Sequence, residues 1–154
     1  MTTGYDPNVV EGLLNEMGSA ESHLSIEDEK LREAQANFEV ASRKYSALRD
    51  MTAKYMGQNP YVWILQHGGT IDWEISGRYR FIQMTIGAAV VAALQEMKEP
   101  AGLAEIAKKL RSGGVRRSPE SLIRAVNAAL MRTKGIVKDK DNKYSFVEEE
   151  DLPF

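Results

Sequence analysis

The side chains best suited to chemistry are the cations between Arg116 and Lys143 and the amide of Asn127. A helix begun by Ser118-Pro119, with Leu122, Val126, Ala129 and Thr133 turned to a core, leaves Glu120, Arg124, Asn127, Ala128 and Met131 on its opposite face at ~100° per residue. Arg117 falls just before that helix and Ser121 on its rim. Arginine and asparagine carry the donor geometry that reads guanine and adenine edges in the major groove, and alanine can touch a thymine methyl. Arg116, Arg117, Lys108, Lys109 and Arg111 lie on flanking segments, and Lys138, Lys140 and Lys143 lie further on. Cations in such places contact phosphates and fix register. Glu120 works against tight binding, unless it meets a cytosine. Any one of these residues alone reads equally well as a solvated surface charge. As a set they point to duplex DNA.

Other chemistries fail on composition. The chain has no cysteine, which excludes disulfides, thiolate zinc sites and a cysteine nucleophile. Its two histidines, His23 and His67, are too far apart in sequence for a helical His-x-x-x-His pair. His67-Gly68-Gly69 is a tripeptide found in esterase oxyanion loops, but there is no Gly-x-Ser-x-Gly elbow to go with it. No phosphate loop or Ser/His/Asp set can be assembled. A non-enzymatic protein without cofactor or metal is expected. The longest weakly polar run, Met84 to Leu94, is well short of the ~20 residues of a membrane span. The N-terminus lacks the basic-then-apolar order of a signal peptide, so a cytoplasmic location is expected.

Charge is segregated along the chain. Residues 1–77 carry 6 Lys/Arg against 12 Asp/Glu, residues 78–147 carry 14 against 6, and residues 148–154 add four acids. A basic block between acidic ends suits an anionic partner.

The elements that must carry these residues follow from periodicity and punctuation. Asp6-Pro7 opens a short amphipathic helix with Val9, Val10, Leu13, Leu14 and Met17 on one face, stopped at Gly18. Ser25 and Asp28 resemble a capping box for a second, long helix reaching Met56, closed by Gly57 and Pro60. Leu24, Leu31, Phe38 and Tyr45 recur every seven residues, with Ala34, Ala41, Leu48 and Tyr55 on the offset row, while Glu27 and Thr52 interrupt. That is a heptad repeat, so self-association through Leu24, Leu31, Phe38, Tyr45 and Leu48 is expected. The competing reading folds the long helix back on its own domain. Between Gln58 and Gly77, Asn59-Pro60 favours a short helix over Tyr61–Gln66, against a hairpin pairing Tyr61–Gln66 with Thr70–Ile75.

From Arg78 the order becomes specific. Ile82, Ile86, Val90, Ala93, Leu94 and Met97 mark a helix ending before Glu99-Pro100. An extended link at Ala101–Leu103 leads to a helix over Ala104–Arg111, with Ser112-Gly113-Gly114 as its break. The Ser118–Thr133 helix follows and ends at Gly135. Two alternating stretches, Ile136–Lys140 and Lys143–Val147, then hinge on Asp141-Asn142. The segments "LAEIAKKL" at Leu103–Leu110, "SPESLIRAVNAALMR" at Ser118–Arg132 and "IVKDKDNKYSF" at Ile136–Phe146 together resemble the winged helix-turn-helix family. Within it they are similar to HARE-type domains, themselves similar to the N-terminal domain of the bacterial RNA polymerase delta subunit. Val-Arg-Arg-Ser-Pro at Val115–Pro119 departs from the Gly-Lys-Thr-Pro-like sequence of that group. The resemblance covers roughly the last 70 residues and implies DNA binding through the third helix and the wing. Winged helices also bind proteins, so an adaptor in a transcription or other complex is the alternative.

The expected architecture is mainly α with a small β-wing: a long N-terminal coiled-coil helix followed by a winged helix-turn-helix domain. Its parts are an arm at 1–20, the long helix at 22–57, a connector at 58–77, the winged helix at 78–148 and an acidic tail at 149–154. The candidate DNA contacts are Arg116, Arg117, Ser121, Arg124, Asn127, Lys138, Lys140 and Lys143. Duplex DNA and a second copy are the expected partners, and no membrane.

Overall fold

The computed structural model describes residues 4–73 and 77–148. The acidic tail at 149–154 and the Thr70–Ile75 half of the hairpin alternative lie wholly or partly outside them.

The described residues are mainly helical, with one two-stranded antiparallel sheet among them. Helix α1 runs without a break from Pro7 to Met56. Asp6 opens it as expected: its Oδ1 accepts from the Asn8 amide at 2.9 Å, and its carbonyl accepts from Val9 and Val10. Two expected boundaries inside it are corrected. Gly18 does not stop the helix, and Ser25 with Asp28 does not start another. A lone glycine costs a helix only ~1 kcal/mol relative to alanine. With no proline between Pro7 and Pro60, nothing sterically forbids the next turn. Asp28 instead pairs with Arg32 one turn on, at 3.0 Å, and Glu27 with Lys30 at 3.3 Å. The helix ends at Gly57, whose φ of 71° is the left-handed conformation a C-terminal stop favours.

Helix α2, Pro60–Gln66, is the short helix expected of Asn59-Pro60, with Asn59 Oδ1 accepting from the Tyr61 amide at 3.0 Å. The hairpin alternative is thereby excluded over Tyr61–Gln66. Turns occupy 78–83, so α3 is shorter than the apolar spacing suggests: it spans Ile86–Glu96, with Thr85 Oγ1 accepting from the Ala88 amide. Helix α4 spans Leu103–Ser112 and α5 spans Pro119–Arg132, the latter capped by Ser118. Strands β1, Ile136–Lys138, and β2, Tyr144–Phe146, pair with Ile136 opposite Phe146. Ala101 adds a bridge to Tyr144, exchanging two backbone hydrogen bonds of 2.9 and 2.8 Å. Asp139 Oδ1 shapes the turn between the strands by accepting from the amides of Asp141 and Lys143. Asn142 there adopts φ of 58°, a conformation asparagine tolerates.

Two compact units divide inside α1. The first is Met1–Ala41 and the second Ser42–Phe154. In the first, every described residue from Gly4 to Asn37 is exposed. In the second, α3, α4 and α5 pack on one another and β2 packs on α3. Val90, Ile106, Leu110, Leu122 and Val126 are fully buried there. Leu94 and Leu130 are also buried, while Ile86 and Phe146 pack at the edge. Phe81, in the turn segment, is also fully buried, though no helical spacing marks it. Its ring fills the space where Gly113 would otherwise carry a Cβ, and its amide donates to the Gly113 carbonyl at 2.9 Å.

The compact unit therefore starts at Ser42, not at residue 78. Three interactions draw the end of α1 into it. Gln83 Nε2 donates to the buried Ser42 Oγ at 3.0 Å, and the Tyr45 and Tyr61 hydroxyls meet at 2.6 Å. Arg49, buried, donates through Nη1 to the carbonyls of Arg80 and Ile82 and through Nε to Asp50.

Candidate nucleic-acid interface

The candidate contacts come from three successive pieces of the second unit. Arg116 and Arg117 occupy the segment between α4 and α5 and are exposed. On α5 the expected face turns inward: Leu122, Val126 and Ala129 are buried, Leu130 with them, and Thr133 is the half-buried C-cap. That burial forces Arg124, Asn127 and Met131 outward, and all three are exposed, Met131 to 81%. Arg124 lies along the helix, with Nε reaching the Glu120 carbonyl at 3.5 Å. Ser121 is half-buried in the first turn, its amide donating to Ser118 Oγ at 3.3 Å.

Lys138, Lys140 and Lys143 are exposed on β1 and on the turn that follows it. Lys138 Nζ stands 5.8 Å from the centre of the Tyr144 ring, a cation–π distance. The two acids between these lysines offset part of their charge. Asp139 is committed to the turn through the Asp141 and Lys143 amides. Among the described residues, Arg117, Arg124, Lys138, Lys140 and Lys143 form no ion pair. Their charges are solvated and open to an external anion. Between α4 and α5 lies a groove of about 430 Å³, lined in part by Lys108, Arg111, Ser112 and Ile123.

Lys109 is withdrawn from the expected phosphate contacts. Its ammonium lies 3.5 Å from Glu96 and 5.6 Å from the Trp73 ring centre. It belongs to a buried ionic cluster that periodicity did not reveal. Arg80 Nε donates to both Glu96 oxygens, at 3.1 and 3.0 Å, and Nη1 donates to the Gly77 carbonyl. The Arg80 guanidinium also lies over Trp73 at 3.9 Å and Phe81 at 4.4 Å. Burial pushes the Glu96 carboxyl above the ordinary carboxylate range, against the pull of Arg80 and Lys109. The only trace of this cluster in the sequence is the charge of Glu96 within the otherwise uncharged α3.

The residues expected to mediate self-association divide between the two units. Leu24 and Leu31 are exposed, to 70% and 56%. Phe38 is half-buried. Leu48 is exposed, but Tyr45 is half-buried against Tyr61, so part of the seam is engaged within its own chain. Burial raises the Tyr45 hydroxyl well above the ordinary tyrosine range, and the bond to Tyr61 adds to the shift.

No protein-family model, curated protein or solved structure matches the chain. No helix among the described residues is long and apolar enough to cross a membrane, and no group of three metal-ligating side chains occurs among them.

Proposed function

We propose that the chain is a duplex DNA-binding protein, a transcriptional regulator or nucleoid-associated factor that self-associates through α1. The reading rests on one observation above all. The outward face of α5, the end of β1 and the β1–β2 turn carry Arg124, Asn127, Lys138, Lys140 and Lys143, exposed and, among the described residues, without acidic partners. The element order supports it. A helix, a bridging residue at Ala101, two helices and an antiparallel hairpin follow one another as in a winged helix-turn-helix domain. In that reading α5 is the recognition helix. Arg124 and Asn127 read base edges, and Arg117 with the lysines of the wing binds phosphate.

The deciding experiment is titration of the intact protein with an arbitrary duplex across a salt series. Phosphate contacts lower log affinity linearly with log salt, by roughly 0.9 per contact. Affinity indifferent to salt, or no binding at all, refutes the proposal. Met131 favours a second reading, because a methionine 81% exposed in the same stripe as Arg124 and Asn127 suits an apolar protein surface. A protein-binding adaptor would keep its affinity for its partner in high salt and ignore duplex DNA.

A further inference from the structure

The unbroken course of α1 joins two apolar patches that the sequence presents as separate. In a single heptad register Val10, Met17, Leu24 and Leu31 share one row, and Leu13, Ala20, Glu27 and Ala34 share the other. All of these are exposed, and all belong to the first unit. Beyond Asn37 the helix is increasingly committed to its own chain, through half-buried Phe38 and Tyr45 and buried Ser42 and Arg49. A partner for the free seam must therefore pair with residues up to about 36.

We propose that this seam binds a second copy of the chain running antiparallel, with residue 22 at the midpoint. The inference rests on the self-association part of the proposed function and specifies its geometry. Charge decides the direction. In a parallel in-register pair, Glu16 would flank Glu21 of the second copy, on both sides of the axis. In the antiparallel pair centred on 22, Glu16 flanks Lys30 of the second copy, twice by symmetry, and the one like-charge contact is Glu21 with itself. Shifting the antiparallel pair by one heptad, towards a midpoint between 25 and 26, sets Glu21 against Asp28 twice and demands Phe38. A further heptad regains an attraction, Glu16 with Lys44. It also opposes Lys30 to itself and Asp28 to itself, and it draws on Tyr45, which is already bonded to Tyr61.

The side chains fit the same register. Leu13 meets Leu31, while the small Ala20 meets Leu24 and the small Ala34 meets Val10; only Met17 meets a charge, at Glu27.

The absence of native cysteine makes a direct test available. Single cysteines at the outward positions Asn15, Ser22, Glu29 and Ala36 in the full chain accept nitroxide labels, and electron–electron dipolar spectroscopy then reads the distance between copies. The antiparallel register predicts the shortest distance at Ser22 and equal, longer ones at Asn15 and Glu29. At Ala36 the distance is longest, because the axial component grows by ~3 Å per residue from the midpoint. A flat profile across the four sites means a parallel pair and overturns the proposal, as does a minimum at any site other than Ser22. Absence of dipolar coupling at tens of micromolar, with monomeric sedimentation, overturns self-association as well. Salt-dependent duplex binding by the same labelled proteins reports on α5 and the wing separately, so the two readings fail independently.

Discussion

The two units of this chain treat the same residue types in opposite ways. In the first, Leu24 is a leucine 70% exposed; in the second, Arg80 is an arginine only 2% exposed. Both regions use α1, and its first part is exposed from Gly4 to Asn37. Its last part, from Ser42, is a wall of a closed core. Burial here is decided by what stands opposite a side chain more than by what the side chain is. Arg80 is tolerated inside because Glu96, the Gly77 carbonyl, Trp73 and Phe81 all meet it. Nothing in the first unit offers Leu24 the equivalent, so its apolar surface remains available.

The largest effect that would test this contrast is a truncation. A chain lacking residues 1–41 should keep the cooperative thermal unfolding of the second unit. One lacking residues 1–77 should lose most of it, since Arg49, Tyr45, Tyr61 and Trp73 go with the deletion. Equal stability of the two fragments, measured by calorimetry, would place the boundary back at 78.

Next in size is the buried cluster. Glu96→Ala leaves Arg80 buried without its carboxylate and should cost about 3–5 kcal/mol in denaturant unfolding. Exchanging both for apolar residues, Arg80→Met with Glu96→Leu, should recover much of the loss. A cost below ~1 kcal/mol for Glu96→Ala would mean that the cluster is solvated. Gly113→Ala tests the same core from another side. Its new methyl would meet the Phe81 ring, for an expected loss of about 1–3 kcal/mol by overpacking.

Binding should respond to changes that leave folding alone. Arg124→Ala should cost about 1–3 kcal/mol of duplex affinity and relax sequence preference, while Lys140→Ala should weaken all sequences alike and lower the salt slope by ~1. Unfolding midpoints of both variants should match the parent, because both side chains are exposed. Unchanged binding by both variants would remove the case for α5 and the β1–β2 turn.

The smallest effect belongs to the first unit. Gly18→Ala should raise helix content and stabilise α1 by up to ~1 kcal/mol, because the residue sits mid-helix in open space. Circular dichroism showing no gain, or a loss, would restore Gly18 as a helix stop.

Much of the second unit was readable from residue order, because its signals are local. Asn59-Pro60 and Ser118-Pro119 each fix their own cap through atoms two or three residues away, and the turn at Asp141-Asn142 is held by Asp139 just before it. The apolar spacing of Leu122, Val126, Ala129 and Leu130 likewise determined which face of α5 is buried, and so which side chains face outward. The boundaries that Gly18 and Ser25 suggest do not form, for the same reason in reverse. Those residues permit a break but do not compel one, and only the summed preference of the surrounding turns decides. The tertiary structure alone decided that Phe81 fills the space beside Gly113, that Arg80, Glu96 and Lys109 converge, and that Arg49 crosses to the carbonyls of Arg80 and Ile82. Those contacts join residues 13 to 33 positions apart, and no periodicity within a single element encodes a partner on another.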